Sequence, residues 1–374
     1  MRPILENRVE LRLLELFFIL SFFSISYTYN VNILFSVVLL CYLIHQKNKY
    51  NITAIFILIV SLALPYLLLG EYRAVYRDLK TGIVFMPLFF LPLLKKSNFK
   101  LSSFFHFFMF LNASVVYIDF VLYFTIGKTI GNFTHTGILP RPCGLVEDSN
   151  FYCYLTLIYT FFIVQTERRL SKFYLISIFL SGSISAIITF FVLNFIYKKR
   201  HKFHWKTWLF GGVLIFSSYV FILLKAEEII KFIQELDTSP FIKLKLHSMM
   251  LRLTVQSDAI NYVMENGLIF GAGAGETLNI LGRGINLHNG YLQLLFEMGP
   301  ILFCVCFYMI FLCYKNLGNN FYIPLFFCVF LLGNILEVIY YPLLSFILFI
   351  SYAKGQHGSI RFGIDRNMYQ QQIC

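Results

Sequence analysis

The sequence predicts an all-α, polytopic membrane protein with about twelve transmembrane helices and one large loop outside the cytoplasm, and three observations carry that prediction. The first is composition. Of the 374 residues 58% are hydrophobic, 19% are aromatic and only 13% are charged, with a mean hydropathy of +0.70; a soluble domain is far less apolar. The second is run length: apolar stretches of the roughly 20 residues needed to cross a hydrocarbon core recur from residue 11 almost to residue 353. The third is the placement of the basic residues behind the formal net charge of +12. They fall in short clusters between apolar runs, at Lys47/Lys49, Lys95/Lys96/Lys100, Arg168/Arg169/Lys172 and Lys198/Lys199/Arg200/Lys202/Lys206. Clusters so placed mark cytoplasmic loops and argue against a nucleic-acid surface.

Alternation of those clusters sets the elements in order. Spans are expected near 11–29, 31–46, 52–70, 80–94, 103–127 and 149–166. The first run has no small-residue cleavage site and leads straight into another apolar run, so it reads as a span and not a signal peptide. The run 173–197 has basic residues at both ends, and a single crossing would break the alternation. Ser181-Gly182-Ser183-Ile184-Ser185 lies near its middle, which predicts two short helices meeting at a small polar elbow. Further spans follow near 207–224, 290–314, 320–335 and 337–353, with both termini cytoplasmic. The whole chain, 1–374, is then one membrane domain whose long external loop is 225–287. Within that loop, 226–236 and 251–264 have helical apolar spacing, and glycines at 271, 273 and 275 break the pattern. The eight cysteines show no paired metal-ligand spacing and read as small hydrophobes.

The chemistry is concentrated at the end of the loop. In HNGYLQLLFEMGP, Asn289, Gln293 and Glu297 are each four residues apart, so a polar stripe enters the membrane on one helix face. Glu297 lies about 13 Å below His288 on such a helix, a depth at which a carboxylate faces a cavity or a partner. His288 stands at the outer mouth, where free N–H groups and the helix dipole favour an anion. Its ordinary pKa near 6.5 suits a general base. Arg141, Arg252 and Arg283 fall on the same side of the membrane and offer planar forks for phosphate oxygens. Arg73 and Arg77, one helical turn apart, read as headgroup contacts. His106 and Asp119, inside one span, read as packing or helix-pairing residues, while Asp119 and Glu337, as buried acids, would also suit a transport path.

These residues resemble the bacterial O-antigen polymerase and O-antigen ligase superfamily of multi-spanning glycosyltransferases. The run His288-Asn289-x-x-Leu292-Gln293-x-x-x-Glu297-x-Gly299 is similar to that family's signature after its large periplasmic loop. Arg252 with Ala259 and Gly271-x-Gly273 resembles its arginine-to-glycine stretch, and Arg141-x-x-Gly144 with Asn150 the segment before a middle span. Together these motifs cover about 60 residues, and the family's Ser-Arg at the elbow is replaced here by Ser183-Ile184. The resemblance implies an inner-membrane enzyme that transfers a glycan from an undecaprenyl-diphosphate carrier, at the periplasmic face, onto a sugar hydroxyl. His288 and Arg252 are then the expected catalytic residues. Arg141, Arg283, Asn289, Gln293, Glu297 and Asn150 are expected to bind the diphosphate or the sugars. No Asp-x-Asp pair occurs in the outer loops, so no metal or other cofactor is expected, and the arginines take the electrostatic role. The implied partners are the lipid-linked oligosaccharide, the bilayer and a chain-length regulator protein. Polymerase is the first expectation and ligase the second; a permease or flippase is the alternative from another class.

The topology makes its own prediction. In a cysteine-free background on intact cells, a membrane-impermeant thiol reagent should label Glu235→Cys and leave Lys202→Cys untouched; the reverse pattern overturns the assignment of sides.

Overall fold

The computed structural model describes residues 12, 15–16, 19, 103–135, 140–146, 148–161, 168–199, 210, 214, 217–219, 221–235, 240–266, 271–272, 280–281, 287, 289–293, 295–297, 299–301 and 303–304. The expected spans 11–29, 31–46, 52–70, 80–94, 320–335 and 337–353 lie wholly or almost wholly outside these residues, as do Arg73, Arg77, Arg283, His288 and Glu337. The described residues are mostly helical, as an all-α chain requires, with one antiparallel strand pair as the departure. They divide between two compact units, one containing Phe90–Phe190 and the other Phe191–Ser345.

The first unit contains α1, Ser103–Ile126, the one described helix long and apolar enough to cross a membrane. It ends where Gly127 adopts φ 68° and its N–H closes on the Tyr123 carbonyl at 3.1 Å, a left-handed stop that costs glycine nothing. His106 pairs this helix with the next through Tyr159, ring Nδ1 to hydroxyl at 2.5 Å, as a helix-pairing residue should. Asp119 does something else. Its carboxylate accepts the backbone N–H groups of Ile130 at 2.6 Å and Gly131 at 3.1 Å, which folds the following loop back along α1.

That loop leads into β1, Asn132–His135, paired with β2, Pro140–Gly144. Pro140 and Pro142 in PRPCG remove two N–H donors, which forbids a helix and leaves an irregular two-stranded ribbon. Asn112 of α1 holds its far end by accepting the Leu145 N–H at 2.7 Å. A side chain on Gly144, at φ 66°, would run into Asn112, so the ribbon lies hard against α1.

Helix α2, Ser149–Tyr159, starts at the N-cap Asp148, whose carboxylate accepts from Asn150 N–H at 2.8 Å and Phe151 N–H at 3.1 Å. Every residue from Tyr152 to Phe161 is buried, so α2 is the core of this unit. Its tyrosine hydroxyls are satisfied in turn: Tyr152 donates to Ser177 at 2.6 Å and Tyr154 pairs with Thr189 at 2.9 Å. The predicted elbow is present. Helix α3, Arg168–Leu180, gives way to a turn with Gly182 at φ 63°, and α4, Ile184–Lys199, starts from Ser183, whose hydroxyl caps the Ala186 N–H at 3.4 Å. Phe179 and Phe190 would be about 16 Å apart along a straight helix. Their rings are 5.9 Å apart, so the chain doubles back.

The second unit contains α5, Ala226–Glu235, and α6, Pro240–Asn266, both inside the stretch assigned to the outer loop. Leu223, Ala226 and Leu253 form one buried cluster. Val255, Ala259, Ala272, Leu287 and Phe296 form a second, so α6 is the spine on which the glycine segment and the next helix pack. That next helix is described at 290–293, 295–297, 299–301 and 303–304.

Candidate functional site

The polar stripe is real, and each of its members is engaged. Asn289 is fully buried and its Oδ1 caps the helix, accepting from Tyr291 N–H at 3.0 Å and Leu292 N–H at 3.1 Å. Its amide nitrogen donates to the Tyr219 hydroxyl. One turn on, Gln293 Nε2 donates to Glu297 Oε1 at 3.2 Å, and Glu297 is 2% exposed. Both ends of the Asn289 amide are thus committed within the protein.

Tyr219 and Gln256 continue the connection. The Tyr219 hydroxyl donates to Gln256 Oε1 at 2.9 Å, and Gln256 Nε2 donates to the Leu287 carbonyl at 2.7 Å. Leu287 and Asn289 flank His288, which itself lies outside the described residues, as does Arg283. Arg252 is on α6, half-buried and four residues before Gln256, so the two share a helix stripe at about 6 Å between Cβ atoms. The arginine-bearing helix and the His-Asn segment, separated by more than thirty residues in the chain, therefore meet through Gln256. Neither Tyr219 nor Gln256 was expected from the sequence. Each is a lone polar residue, and their bond spans 37 positions with no spacing pattern to reveal it.

The glycine segment reaches the same helix from the other side. Pro300 has no N–H to give the Phe296 carbonyl, and Gly299, at φ 74°, takes the left-handed conformation before it. Ala272 N–H fills the vacancy, donating to Phe296 O at 2.8 Å. Gly271, at φ 80°, must come so close that any Cβ would collide with the Glu297 carbonyl and Gly299 nitrogen. Gly271 and the Gly-Pro at 299–300 are two halves of one contact.

A second polar cluster lies in the first unit, at the elbow. Arg141 Nη2 donates to Asn150 Oδ1 at 2.8 Å, and Ser183 Oγ donates to the same oxygen at 2.7 Å. The arginine stem lies beside Gly182, whose φ of 63° makes the turn; a Cβ there would sit in ordinary contact, 3.7 Å from Arg141 Cγ. Arg141 Nε and Ser149 Oγ are buried and have no hydrogen-bond partner within the protein. Unmet donors of this kind cost about 1–3 kcal/mol each. Arg141 and Asn150 are thus brought together, with Ser183 added to them.

Comparison of the chain with family models, with curated proteins and with solved structures found no match.

Proposed function

We propose that the chain is an O-antigen polymerase of the bacterial inner membrane, joining undecaprenyl-diphosphate-linked repeat units at the periplasmic face. The observation that carries this reading is the grip of Gln256, one turn beyond Arg252, on the residue before His288. It supports a site in which base and phosphate-binding arginine act on one substrate pair. His288 takes the proton of the acceptor hydroxyl as the new glycosidic bond forms. The bond from the donor's anomeric carbon to the diphosphate breaks, and Arg252 neutralises the departing undecaprenyl diphosphate. Asn289 acts by orienting the segment, since its amide is spent within the protein.

Arg141 supports a second phosphate contact. The elbow lacks the arginine of the related families at Ser183-Ile184, yet a guanidinium arrives there from the ribbon and shares Asn150 with Ser183. This also favours ligase as the second reading, in which the glycan passes to lipid A-core, because an elbow arginine belongs to that chemistry.

Deletion of the gene followed by a gel of surface lipopolysaccharide tests both readings. Loss of the ladder with a core-plus-one-unit band retained supports polymerase. Loss of every O-antigen band with lipid-linked glycan accumulating supports ligase, and an unchanged ladder overturns both. Within the site, Arg252→Ala should lower polymer by about 10²-fold at normal protein level, and Arg252→Lys should also impair it, because charge without the planar fork binds diphosphate less well. Full activity in Arg252→Ala removes it from the mechanism.

A further inference from the structure

Four hydrogen-bonding groups form one chain whose two ends are sequence neighbours of a single residue. Asn289 Nδ2 donates to the Tyr219 hydroxyl, that hydroxyl donates to Gln256 Oε1 at 2.9 Å, and Gln256 Nε2 donates to the Leu287 carbonyl at 2.7 Å. Every bond runs in the same direction, so each group is polarised by its neighbour and strengthens the next. The residue enclosed between the first and last members, Asn289 and Leu287, is His288.

We propose that Tyr219 and Gln256 are positioning residues whose purpose is to hold Leu287 and Asn289, the two chain neighbours of His288. Leu287 is held by its backbone carbonyl and Asn289 by its side-chain amide, so the pair ties both chain neighbours of position 288 to α6 and Tyr219. Packing alone does not call for this arrangement. Tyr219 already lies against the Leu223, Ala226 and Leu253 cluster through its ring, and Gln256 is 6% exposed in a region where leucine would bury more apolar surface. A buried polar network of this kind specifies one geometry when it is fully satisfied, and these atoms are satisfied. The catalytic meaning of the proposal rests on the reading of His288 given above; the mechanical claim does not.

Tyr219→Phe tests it, since the ring stays and only the hydroxyl that joins Asn289 to Gln256 is lost. Two measurements on the purified full-length protein are needed. The first is amide exchange, which should quicken at least tenfold over 287–293 and stay unchanged over α2. The second is glycan joining in proteoliposomes, using lipid-linked glycan extracted from cells lacking the gene. There kcat should fall about 10–100-fold with KM unchanged, the scale on which groups that orient a reactive side chain act. Gln256→Leu, which replaces the amide with a side chain of similar size, should reproduce both effects. Unchanged exchange over 287–293 in both variants overturns the proposal, as does normal kcat alongside quickened exchange. A wild-type protein that joins no glycan would instead sink the functional reading, and the exchange result would still decide whether the pair holds the segment.

Discussion

Cells carrying His288→Ala are expected to keep the protein in the membrane at its normal level and to make no visible polymer. Loss of a general base costs about 10²–10⁴ in rate, and a polymer built by repeated transfer shows such a loss as a missing ladder. Packing makes the opposite forecast: a histidine that only fills a seam lowers abundance and activity together. Polymer length distribution and protein level, measured in the same cells, separate the two. Normal polymer from a normally expressed variant ends the catalytic assignment.

Gly271→Ala should have the largest effect on stability. The left-handed backbone costs an alanine about 1–2 kcal/mol, and the Cβ would strike the backbone of Glu297 and Gly299, adding about 1–3 kcal/mol of overpacking. Together these amount to about 2–5 kcal/mol, read as a lowered midpoint of thermal unfolding in detergent. Pro300→Ala should recover part of the loss. It returns a donor to the Phe296 carbonyl, so the displaced glycine segment no longer leaves that carbonyl bare. A Gly271→Ala protein as stable as the wild type means the two segments do not touch.

What the sequence revealed and what it hid have a common cause. Hydropathy and punctuation are local, so α1 ended one residue from its expected limit, α2 began where expected, and the Ser-Gly-Ser elbow and α5 were legible. Helix α6 starts at Pro240, well before the expected 251, because Lys243, Lys245 and His247 dilute the apolar rhythm of its first turns. The strand pair could have been suspected from Pro140 and Pro142, which exclude a helix. The stripe of Asn289, Gln293 and Glu297 was visible because fourfold spacing is a helical property. Its partners were not, because the bond from Asn289 to Tyr219 joins residues 70 apart. Asp119 and Asn112 were hidden for the same reason: each binds backbone N–H groups, which no side-chain pattern records.

The doubled-back pair α3 and α4 carries a further consequence, one of parity. A chain that enters a layer and returns adds two passages or none, but never one. If the pair enters the bilayer in the proposed topology, everything downstream of Lys199 keeps the side it would have if the pair were absent. A single straight crossing in its place would instead put the outer loop on the other side. In the proposed topology, residues that make a turn at 181–183 would thus decide the side on which the outer loop falls, far along the chain.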